Sequence, residues 1–459
     1  MMHKGFRLSG LLSAISGQLV GQDVTFSRVN TDTRSIQPGD LFVALKGERF
    51  DAHEFAGQAI AAGAVALVVD TKLALDVPQI VVCDTRVALG KIAEYNRAFF
   101  QGVLFAITGS SGKTTVKEML AEILAGAGQV LATKGNLNND IGVPLTLLRI
   151  APNDEYAVIE MGASGPDEIA YSAKLSHPSI ALVNNAMGAH LEGFGSLQGV
   201  VNAKGEIYDG LGPEGIAVVN MDDPHAHQWI KRIDNKPLLT FGMDSNADIY
   251  ANNVQILDDG CYSFVVKHDE ISEKVQLKVM GRHNVMNALA AVALTLAAGL
   301  PLSLAVAGLG RFRAVKGRMC SVSGLNGARI IDDSYNANPG SVKAAIQALA
   351  ELKGERVLVL GDMGELGLDA KEMHRDIGRF AAEHNIDELI AVGPLSKMAV
   401  EGFQSSIGLL PRQLAKHFID QKSLMDEVVP RLHKSMVVLV KGSRSAGMDK
   451  VVTRLTEKV

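Results

Sequence analysis

The stretch ITGSSGKTTVKEML, residues 107–120, joins an apolar run to a segment with helical periodicity. Gly109 and Gly112 let the backbone turn without a clash at Cβ, so successive N–H groups can point at phosphate oxygens where the next helix begins. Lys113 brings a positive charge to the outer phosphates, and the Thr114 hydroxyl is a ligand suited to Mg²⁺. The stretch therefore predicts a nucleoside triphosphate site inside an α/β domain.

The loop departs from the full Walker pattern G-x-x-x-x-G-K-[ST], because Ile107 stands where the first glycine is expected. An ordinary glycine-rich turn with an exposed lysine is the alternative. A metal beside the phosphates also needs a carboxylate at the end of a neighbouring parallel strand, and Glu160 ends the strand-like run YAVIE. Glu160 alone could equally hydrogen-bond a loop, but together with the glycine turn it favours a metal–nucleotide site.

Strand-like runs separated by helical segments lie on both sides of this loop. Continuous β-branched runs without polar alternation indicate strands buried on both faces, as in parallel sheets covered by helices. A chain of 459 residues favours about three domains. We expect them at 1–100, 101–312 and 313–459. The predicted strands are 64–70, 78–84, 103–109, 156–162, 179–185, 215–221, 328–334, 356–362, 388–393 and 436–442, and an Ala/Leu-rich helix is predicted over 284–300.

Composition and charge exclude several classes of protein. Lys and Arg total 45 against 50 for Asp and Glu, a net charge of −5, so no polybasic face is available for nucleic acid or anionic lipid. Cys83, Cys261 and Cys320 are scattered, which fits a reducing compartment and argues against a sulfur-bound metal. Serine and glycine dilute the segment after Lys4 and Arg7 too heavily for a secretory signal. No apolar run reaches the roughly 20 residues that span a bilayer, so we expect a soluble cytoplasmic protein.

A second polar stretch runs from 184 to 211, directly after another predicted strand. Its side chains able to bind metal or phosphate include His190, Glu192, Lys204 and Glu206. A single histidine is more often structural than a ligand, and a lysine on a helix is more often solvated than catalytic. The position of this stretch after the phosphate loop and Glu160 favours a functional role for His190 and Lys204.

Motifs along nearly the whole chain resemble those of the ATP-dependent Mur ligases of peptidoglycan synthesis. They are TDTRSIQPGDLFVALKGERFDAHEF, TGSSGKTT, GNLNNDIGVPLTLL, EMGA, GRHNVMNALAA, DDSYNANPGS and KGSRSAGMDKVV. The resemblance implies three α/β domains: an N-terminal domain for a UDP-sugar peptide, a central parallel-sheet P-loop ATPase, and a Rossmann-like C-terminal domain that closes over the site. The implied reaction joins a carboxylate to an amine through an acyl phosphate and releases ADP and phosphate.

Within that family, TKGNLNNDIGVPLT, DDSYNANP, LGDMGELG and KGSRS resemble the member that adds D-alanyl-D-alanine to UDP-N-acetylmuramoyl-tripeptide. LGDMGELG and KGSRS argue against the tripeptide synthetase, and TDTRSIQPGDLFVAL argues against a folylpolyglutamate synthase. A P-loop regulatory ATPase is the alternative from another class, and it leaves the substrate-domain motif unexplained. The implied partners are two small molecules, with no nucleic acid or membrane, and the family expectation is a monomer.

The resemblance also implies which residues bind ATP and two Mg²⁺ ions. The loop residues expected at the nucleotide are Gly109, Ser110, Ser111, Gly112, Lys113, Thr114 and Thr115. Thr114 and Glu160 are expected to bind one Mg²⁺, and His190 matches the histidine that serves the second. Lys204 matches a lysine that several relatives carry as a carbamate, in which added CO₂ turns the cation into an anionic metal ligand. An unmodified Lys204 would repel Mg²⁺.

Two further pairs follow from the resemblance. Asn284 and Asn287, in GRHNVMN, fit the family's adenine contacts, and the alternative is that they cap the following helix. Arg318 and Asp333 resemble a C-terminal pair that reaches phosphate and ribose when the domain closes. Asp332 is the alternative carboxylate, and Asp333 is favoured because it directly precedes the Ser-Tyr-Asn turn.

Substrate contacts are expected in both outer domains. The candidates for the UDP-sugar are Thr31, Arg34, Arg49 and His53, and the two arginines could as easily be surface charges. The candidates for the incoming dipeptide are Asn336, Asn338, Ser443 and Arg444.

Overall fold

The computed structural model describes residues 6–47, 50–188, 191–406 and 413–457. These residues form three α/β regions that follow one another along the chain, each around its own large sheet. No helix in the described part of the chain is long and apolar enough to cross a membrane. Cys83, Cys261 and Cys320 are free thiols.

The first region is built on a five-stranded sheet. Its elements are β1 (Phe6–Arg7), α1 (Leu8–Ile15), β2 (Gln18–Val20), β3 (Thr25–Phe26), β4 (Arg28–Asn30), β5 (Asp40–Val43), α2 (Ala56–Ala61), β6 (Ala66–Val69), β7 (Gln79–Val81) and α3 (Thr85–Arg97). The strand order is β2-β7-β6-β5-β4, with only β2 antiparallel, while β1 and β3 pair separately. α1 and α3 cover one face, and α2 covers the other.

The second region begins with the strand before the phosphate loop. Its strands are β8 (Val103–Thr108), β9 (Val130–Ala132), β10 (Tyr156–Glu160), β11 (Ile180–Val183), β12 (Ile216–Asn220), β13 (Leu238–Gly242), β14 (Ile249–Ile256), β15 (Cys261–His268) and β16 (Ile271–Met280). Its helices are α4 (Lys113–Leu124), α5 (Gly142–Leu147), α6 (Glu168–Ser176), α7 (Leu191–Phe194), α8 (Leu197–Gly205), α9 (Ala226–Ile233), α10 (His283–Ala297) and α11 (Leu302–Arg311).

The nine strands of this sheet follow the order β16-β15-β14-β13-β12-β11-β8-β10-β9. β8 to β14 are parallel, and β15 and β16 extend the sheet as antiparallel strands. β8 lies between β10 and β11, so the phosphate loop leaves the sheet beside the ends of both neighbours. Ligands of open α/β sheets bind at such carboxyl ends, where the strand order reverses.

The third region contains a six-stranded sheet of its own. Its elements are β17 (Cys320–Ser323), β18 (Arg329–Asp333), α12 (Pro339–Ala350), β19 (Glu355–Gly361), α13 (Ala370–Glu383), β20 (Glu388–Val392), α14 (Lys397–Ser405), β21 (Leu414–Phe418), α15 (Gln421–Val428), β22 (Met436–Lys441) and α16 (Asp449–Thr456). The order is β17-β18-β22-β19-β20-β21, and only β17 is antiparallel. β18 and β22 are neighbours and end at the same edge.

The apolar cores divide the molecule unequally. One continuous core contains side chains from α1 and α3 of the first region together with side chains from β8 to α9 of the second. The two faces of the third sheet have cores of their own, to which the second region adds Cys261 and Met280. The first two regions are therefore joined by packing, whereas the third is docked on them.

The turn between β14 and β15 makes part of that docking contact. The Tyr262 hydroxyl donates to the Glu351 carboxylate at 2.7 Å, and the Arg329 guanidinium donates to the carbonyl of Asp259 at 2.6 Å. Tyr262 and Asp259 belong to the second region, while Glu351 and Arg329 belong to the third. These bonds hold the third sheet against the second away from the phosphate loop.

The structure confirms the strands and the helix predicted from sequence. Every predicted strand overlaps an observed one, and the helix predicted over 284–300 is α10. The sequence prediction leaves out the short strands β1 to β5, β9, β17 and β21 as well as β13 to β16. Of these, β14 and β16 have a half-exposed face and lack the continuous apolar runs that mark the buried strands.

Candidate active site

A cavity of about 670 Å³ opens between the carboxyl ends of the second and third sheets. On one side it is lined by the phosphate loop 110–115 and by the segments that follow β10, β11 and β12. On the other side it is lined by the turn 317–319 and by residues after β18 and β22. The cavity thus brings the sequence-predicted loop together with the predicted C-terminal residues.

The phosphate loop has the backbone that its glycines predict. Gly112 has φ 79°, and a Cβ there would lie 2.4 Å from Asn287 Oδ1, so only glycine fits. α4 begins at the next residue, Lys113. The first N–H groups of a helix have no intrahelical acceptor and carry partial positive charge, so this end of α4 favours an anion. Lys113 Nζ donates to the Gly109 carbonyl at 2.7 Å, beside the same helix end.

Thr114 and Glu160 meet at the base of the loop. The Thr114 hydroxyl donates to Glu160 Oε2 at 2.9 Å, and Asn138 Nδ2 donates to Glu160 Oε1 at 2.8 Å. The backbone N–H of Glu160 donates to Thr133 Oγ1 at 2.9 Å, and Glu160 is 2% exposed. A hydroxyl and a carboxylate this close are hard oxygen ligands of the kind Mg²⁺ takes beside phosphates. The pair fits a single magnesium ion.

Lys204 is buried on α8, near Lys113 but outside the described lining of the cavity. It is 2% exposed, and its Nζ lies 5.5 Å from the centre of the Phe194 ring. Burial, with added repulsion from Lys113, lowers the pKa of Lys204 to about 7. Burial also lowers the pKa of Lys113, which the Glu160 carboxylate raises in part. A lysine with so low a pKa has a neutral amine available for CO₂ near neutral pH.

The second predicted metal site is only partly covered by the structure. His190 lies outside the described residues, so only Lys204 of that pair has a place. Within the described ranges, no group of three or more His, Cys, Asp and Glu side chains is arranged to hold a metal. The oxygen donors of Thr114 and Glu160 are therefore the part of the predicted metal site that this structure brings together.

A chain of asparagine amides leads from α10 to the phosphate loop. Asn287 Nδ2 donates to Asn284 Oδ1 at 2.9 Å, and Asn184 Nδ2 donates to Asn287 Oδ1 at 3.1 Å and to the Ser111 carbonyl at 3.0 Å. Asn284 Nδ2 donates back to the Met280 carbonyl at 2.7 Å. The N-cap residue of α10 makes no side-chain capping bond, and Asn284 and Asn287 both line the cavity. Asn284 and Asn287 therefore lie at the wall of the cavity, and neither of them is the N-cap of α10.

Arg318 reaches the phosphate loop from the third region. Its Nη2 donates to Thr114 Oγ1 at 2.8 Å, and its guanidinium lies 4.3 Å from the centre of the Tyr335 ring. The Arg444 guanidinium lies 5.4 Å from the same ring. Two arginines are thus held at one aromatic side chain, where cation–π attraction orients them.

The adjacent carboxylates Asp332 and Asp333 have different surroundings. Asp332 accepts hydrogen bonds from the Gly317 N–H at 3.0 Å and from the N–H and hydroxyl of Ser334 at 3.2 and 2.5 Å. Asp333 accepts from the Met319 N–H at 3.1 Å and from Lys441, and it lines the cavity. Asp333 therefore lines the cavity, whereas Asp332 is not among the described lining residues and accepts its hydrogen bonds from Gly317 and Ser334.

The residues predicted for the dipeptide are not equally placed. Asn336, Asn338 and Arg444 line the cavity, whereas Ser443 is not among its described lining residues and contacts Ser445 Oγ at 3.1 Å. Asn338 is the N-cap of α12 and accepts the Ser341 N–H at 2.8 Å, while its amide reaches the Ser110 carbonyl at 3.4 Å. Its side chain is thus already engaged in capping.

A second cavity, of about 490 Å³, lies in the first region. Thr31 and Arg34 line it together with Phe50 and Phe55, and Arg34 forms an exposed ion pair with Asp32.

His53 is not among the described residues that line this second cavity. Its Nδ1 lies 2.6 Å from Asp51 Oδ1, and its Nε2 accepts the Asp70 N–H at 3.1 Å. Both ring nitrogens are engaged within the domain, which is the pattern of a structural histidine. Arg49 lies outside the described residues.

Several residues of the site carry no motif signal of their own. Asn138 on Glu160, Asn185 on the phosphate loop, Tyr335 between two arginines and Lys441 on Asp333 are all defined by their partners. Asn138 and Lys441 belong to the quoted stretches GNLNND and KGSRS, so the motifs marked the segments without marking the side chains.

Comparisons with known proteins define the class. Residues 25–97 match the Mur ligase family catalytic domain, residues 107–295 match the Mur ligase middle domain, and residues 317–444 match the Mur ligase glutamate ligase domain. Together these matches cover most of the chain. The chain belongs to the Mur ligase family.

Several relatives that match over nearly the whole chain carry the same activity name. The chain is 46% identical to UDP-N-acetylmuramoyl-tripeptide–D-alanyl-D-alanine ligase of Escherichia coli, over 98% of both chains. The structure is similar to that of MurF from Acinetobacter baumannii, with a TM-score of 0.92, 38% identity and 99% of both chains covered. It is also similar to MurF ligase of Thermotoga maritima in complex with ADP, with a TM-score of 0.83 and 28% identity over 93% of this chain and 96% of that one.

Proposed function

We propose that this protein is an ATP-dependent ligase that adds D-alanyl-D-alanine to UDP-N-acetylmuramoyl-tripeptide, a step of peptidoglycan synthesis. The observation that carries the proposal is the cavity in which Arg318 of the third region reaches Thr114 of the phosphate loop. Such a junction brings phosphate-binding groups and a second substrate surface to one place. The names of the full-length relatives supply the two substrates.

The reaction requires two anions to meet. The carboxylate of the tripeptide attacks the γ-phosphorus of ATP, and the bond to ADP breaks, which leaves an acyl phosphate. The amine of the dipeptide then attacks the acyl carbon, loses a proton, and forms the amide as phosphate leaves. Lys113 and Arg318 are the cations placed to stabilise the charge that develops on the phosphoryl oxygens.

Thr114 and Glu160 would hold one Mg²⁺ beside the β- and γ-phosphates, and His190 and a carbamylated Lys204 would hold a second. Bound Mg²⁺ supplies charge neutralisation and orientation for the phosphoryl group. The low pKa of Lys204, about 7, supports carbamate formation, because CO₂ reacts with the neutral amine. The catalytic set proposed on this chain is Lys113, Glu160, His190, Lys204, Arg318 and Asp333.

The cavity of the first region would receive the UDP end of the sugar substrate. Phe50 and Phe55 are partly exposed aromatic side chains at its wall, suited to stacking against a planar base. Thr31 offers a hydroxyl and Arg34 a charge for the pyrophosphate. We further propose domains at 1–100, 101–312 and 313–459, a cytoplasmic location and a monomeric state, in keeping with the net charge of −5.

The test is ADP release by the purified full-length chain, with mass analysis of the product. We expect release to require ATP, Mg²⁺, UDP-N-acetylmuramoyl-tripeptide and D-alanyl-D-alanine together, and the product to gain the mass of the dipeptide. Reactions with L-alanyl-L-alanine or glutamate as acceptor are the controls. Rapid ADP release without any acceptor, or with glutamate in its place, would contradict the proposal in favour of a regulatory ATPase or a glutamate-adding relative.

A further inference from the structure

One lysine joins the segments that form the third sheet's side of the cavity. Lys441 is the last residue of β22, and its side chain is 3% exposed. Its ammonium donates to Asp333 Oδ2 at 2.5 Å and to the Asn336 carbonyl at 3.0 Å. Asp333 stands beside it in register, as the last residue of β18. A buried ammonium is costly unless it is paired, so its charge is committed to these partners.

The Asp333 carboxylate also bonds the turn that carries Arg318, and so links Lys441 to that arginine. Its other oxygen accepts the N–H of Met319 at 3.1 Å. Met319 has φ 51°, a left-handed conformation that a non-glycine residue keeps only when its surroundings enforce it. Arg318 directly precedes it and donates to Thr114 Oγ1 at 2.8 Å. Asp333 therefore holds the turn that directs Arg318 at the phosphate loop.

The bond from Lys441 to Asn336 holds a second segment. Asn336 directly follows Tyr335, the ring that lies against the guanidinium groups of Arg318 and Arg444. Arg444 follows Lys441 by three residues. Lys441 thus lies where the segments that carry Arg318, Tyr335 and Arg444 leave the sheet.

We propose that Lys441 is a positioning residue for the ligation reaction, which fixes Asp333 and through it Arg318 against the nucleotide. The inference rests on the proposed function. Lys441 lines the cavity, but its side chain is almost entirely buried against Asp333, so it acts through Asp333 and the turn 317–319. Without the charge of Lys441, the Asp333 carboxylate turns toward other donors and the turn at Met319 loses its enforced geometry. Nucleotide affinity is therefore the first property to fall.

The test compares Lys441→Met, Asp333→Asn and the double variant with the wild-type chain. Methionine keeps an unbranched apolar stem of nearly the same length and removes the ammonium, with its charge and its hydrogen bonds to Asp333 and Asn336. We measure the Kd of ADP by calorimetry, and the KM of each substrate with kcat by ADP release. We expect Lys441→Met to weaken ADP binding and raise the KM of ATP about 10- to 100-fold, because one partner of a buried charged pair is removed. The KM of the UDP-tripeptide is expected to stay within about two-fold, because its UDP end binds on the first region, away from Lys441.

The double variant shows whether the two residues act as a unit. We expect it to bind ADP no worse than Asp333→Asn alone, since groups that act together show non-additive losses. Independent, additive losses would overturn the proposal. If Lys441→Met does not fold, the double variant is still compared with Asp333→Asn, because it leaves neither charge of the pair without a partner.

Arg431→Met is the matched control within the same sheet. Arg431 pairs with Glu388 at 2.6 Å, and the Glu388 side chain is 6% exposed at the first residue of β20, the opposite end of the sheet from the cavity. Both variants are expected to lower the melting temperature, but only Lys441→Met is expected to change ADP affinity. Equal ADP affinities of the Lys441→Met and Arg431→Met variants would overturn the positioning role of Lys441. A wild-type chain that binds ADP but performs no ligation would instead contradict the proposed function.

Discussion

The two sheet edges that face each other across the cavity are built in different ways. On the second sheet, residues 109–115 present backbone N–H groups and Lys113 from one continuous stretch. On the third sheet, the polar groups are set by distant partners: Asp333 and Lys441 are 108 residues apart, and Arg318 and Thr114 are 204 residues apart. The first edge is thus a local conformation, while the second exists only once the third region is folded and docked. We expect substitutions at the first edge to act on the nucleotide directly and those at the second to act through geometry.

The largest effect is expected from Lys113→Ala, at the first edge. The variant should lose about 10³-fold or more in kcat, because it removes a charge that acts on the transferred phosphoryl group. Its melting temperature should stay near the wild-type value, since among the described residues Nζ makes one hydrogen bond, to the Gly109 carbonyl. ADP release and thermal denaturation measure the two quantities. Lys174→Ala, an exposed lysine on α6, is the control. Near-normal turnover of Lys113→Ala would remove the loop from the mechanism.

Lys204→Ala is expected to cost about 10²- to 10³-fold in kcat, and acetate or formate should restore part of the activity. The added acid supplies the missing oxygens, at the entropic disadvantage of an untethered group. Lys204→Arg should stay inactive with acid present, because guanidinium keeps the positive charge and fills the space. Full activity of Lys204→Ala without acid would show that Lys204 is structural and would leave the first edge with one metal site.

The same lysine gives a pH dependence with a definite sign. Its folded pKa, about 7, lies below the ordinary value of 10.5, so the unfolded chain binds more protons between those values. The contribution of Lys204 to folding stability therefore rises with pH across this interval. Carbamate should likewise be lost as pH falls below about 7, because the protonated amine does not react with CO₂. Carbon-13 NMR of the metal-free chain in labelled bicarbonate tests this, and a carbamate signal unchanged from pH 8.5 to pH 6 would contradict it.

At the second edge, Arg318→Ala is expected to cost about 10²-fold in kcat, less than the loss at Lys113. Arg318→Lys should recover only part of the activity, since an ammonium lacks the planar guanidinium that stacks on Tyr335 while it donates to Thr114. Steady-state kinetics with saturating substrates measure both variants. A loss of kcat in Arg318→Ala larger than that in Lys113→Ala would contradict the expectation that the first edge contributes more to turnover.

The smallest effect is expected away from the cavity, at the docking contact. Tyr262→Phe removes the hydroxyl that bonds Glu351, a hydrogen bond to a charged group worth about 1.5–3 kcal/mol. We expect the KM of ATP to rise only a few-fold, with kcat nearly unchanged, because other contacts still dock the third region. Glu351→Gln should behave alike, and the double variant should be no worse than either. A loss of kcat in Tyr262→Phe as large as that in Arg318→Ala would mean that the docking contact determines the geometry of the second edge.

The sequence predicts the first edge well because its chemistry is local. A strand, a glycine turn and Lys113 lie within one stretch, and the strand ending at Glu160 is a continuous apolar run. The left-handed Gly112 is a backbone requirement that a side chain would violate, so it leaves a mark in the sequence. The α/β class follows from the same buried strands, because parallel sheets need apolar residues on both faces.

The second edge is beyond such local reasoning. In the sequence, Asp333 differs from Asp332 only by its place before a turn. In the structure, the two carboxylates accept hydrogen bonds from different donors. Asn338 reads as a polar ligand candidate, but a capping box with Ser341 engages it. His53 reads the same way until both ring nitrogens are seen bonded to its own domain. In each case the decisive partner comes from the fold rather than from the motif.

The continuous core of the first two regions also sets an order of events during translation. The apolar faces of α1 and α3 pack into a core that includes Ala226, Trp229 and Ile233 of α9. Within this core α3 also contacts α5 and α6 of the second region. A nascent chain of only the first hundred residues lacks those two helices, so that side of α3 stays open to chaperones and to other nascent chains until residue 176, the last of α6, has been released. The third region, with its own two cores, is made last and can fold as soon as it emerges. A ribosome that stalls before residue 176 therefore leaves a fragment with an exposed apolar face on α3, whereas one that stalls after residue 312 leaves the core shared by the first two regions complete.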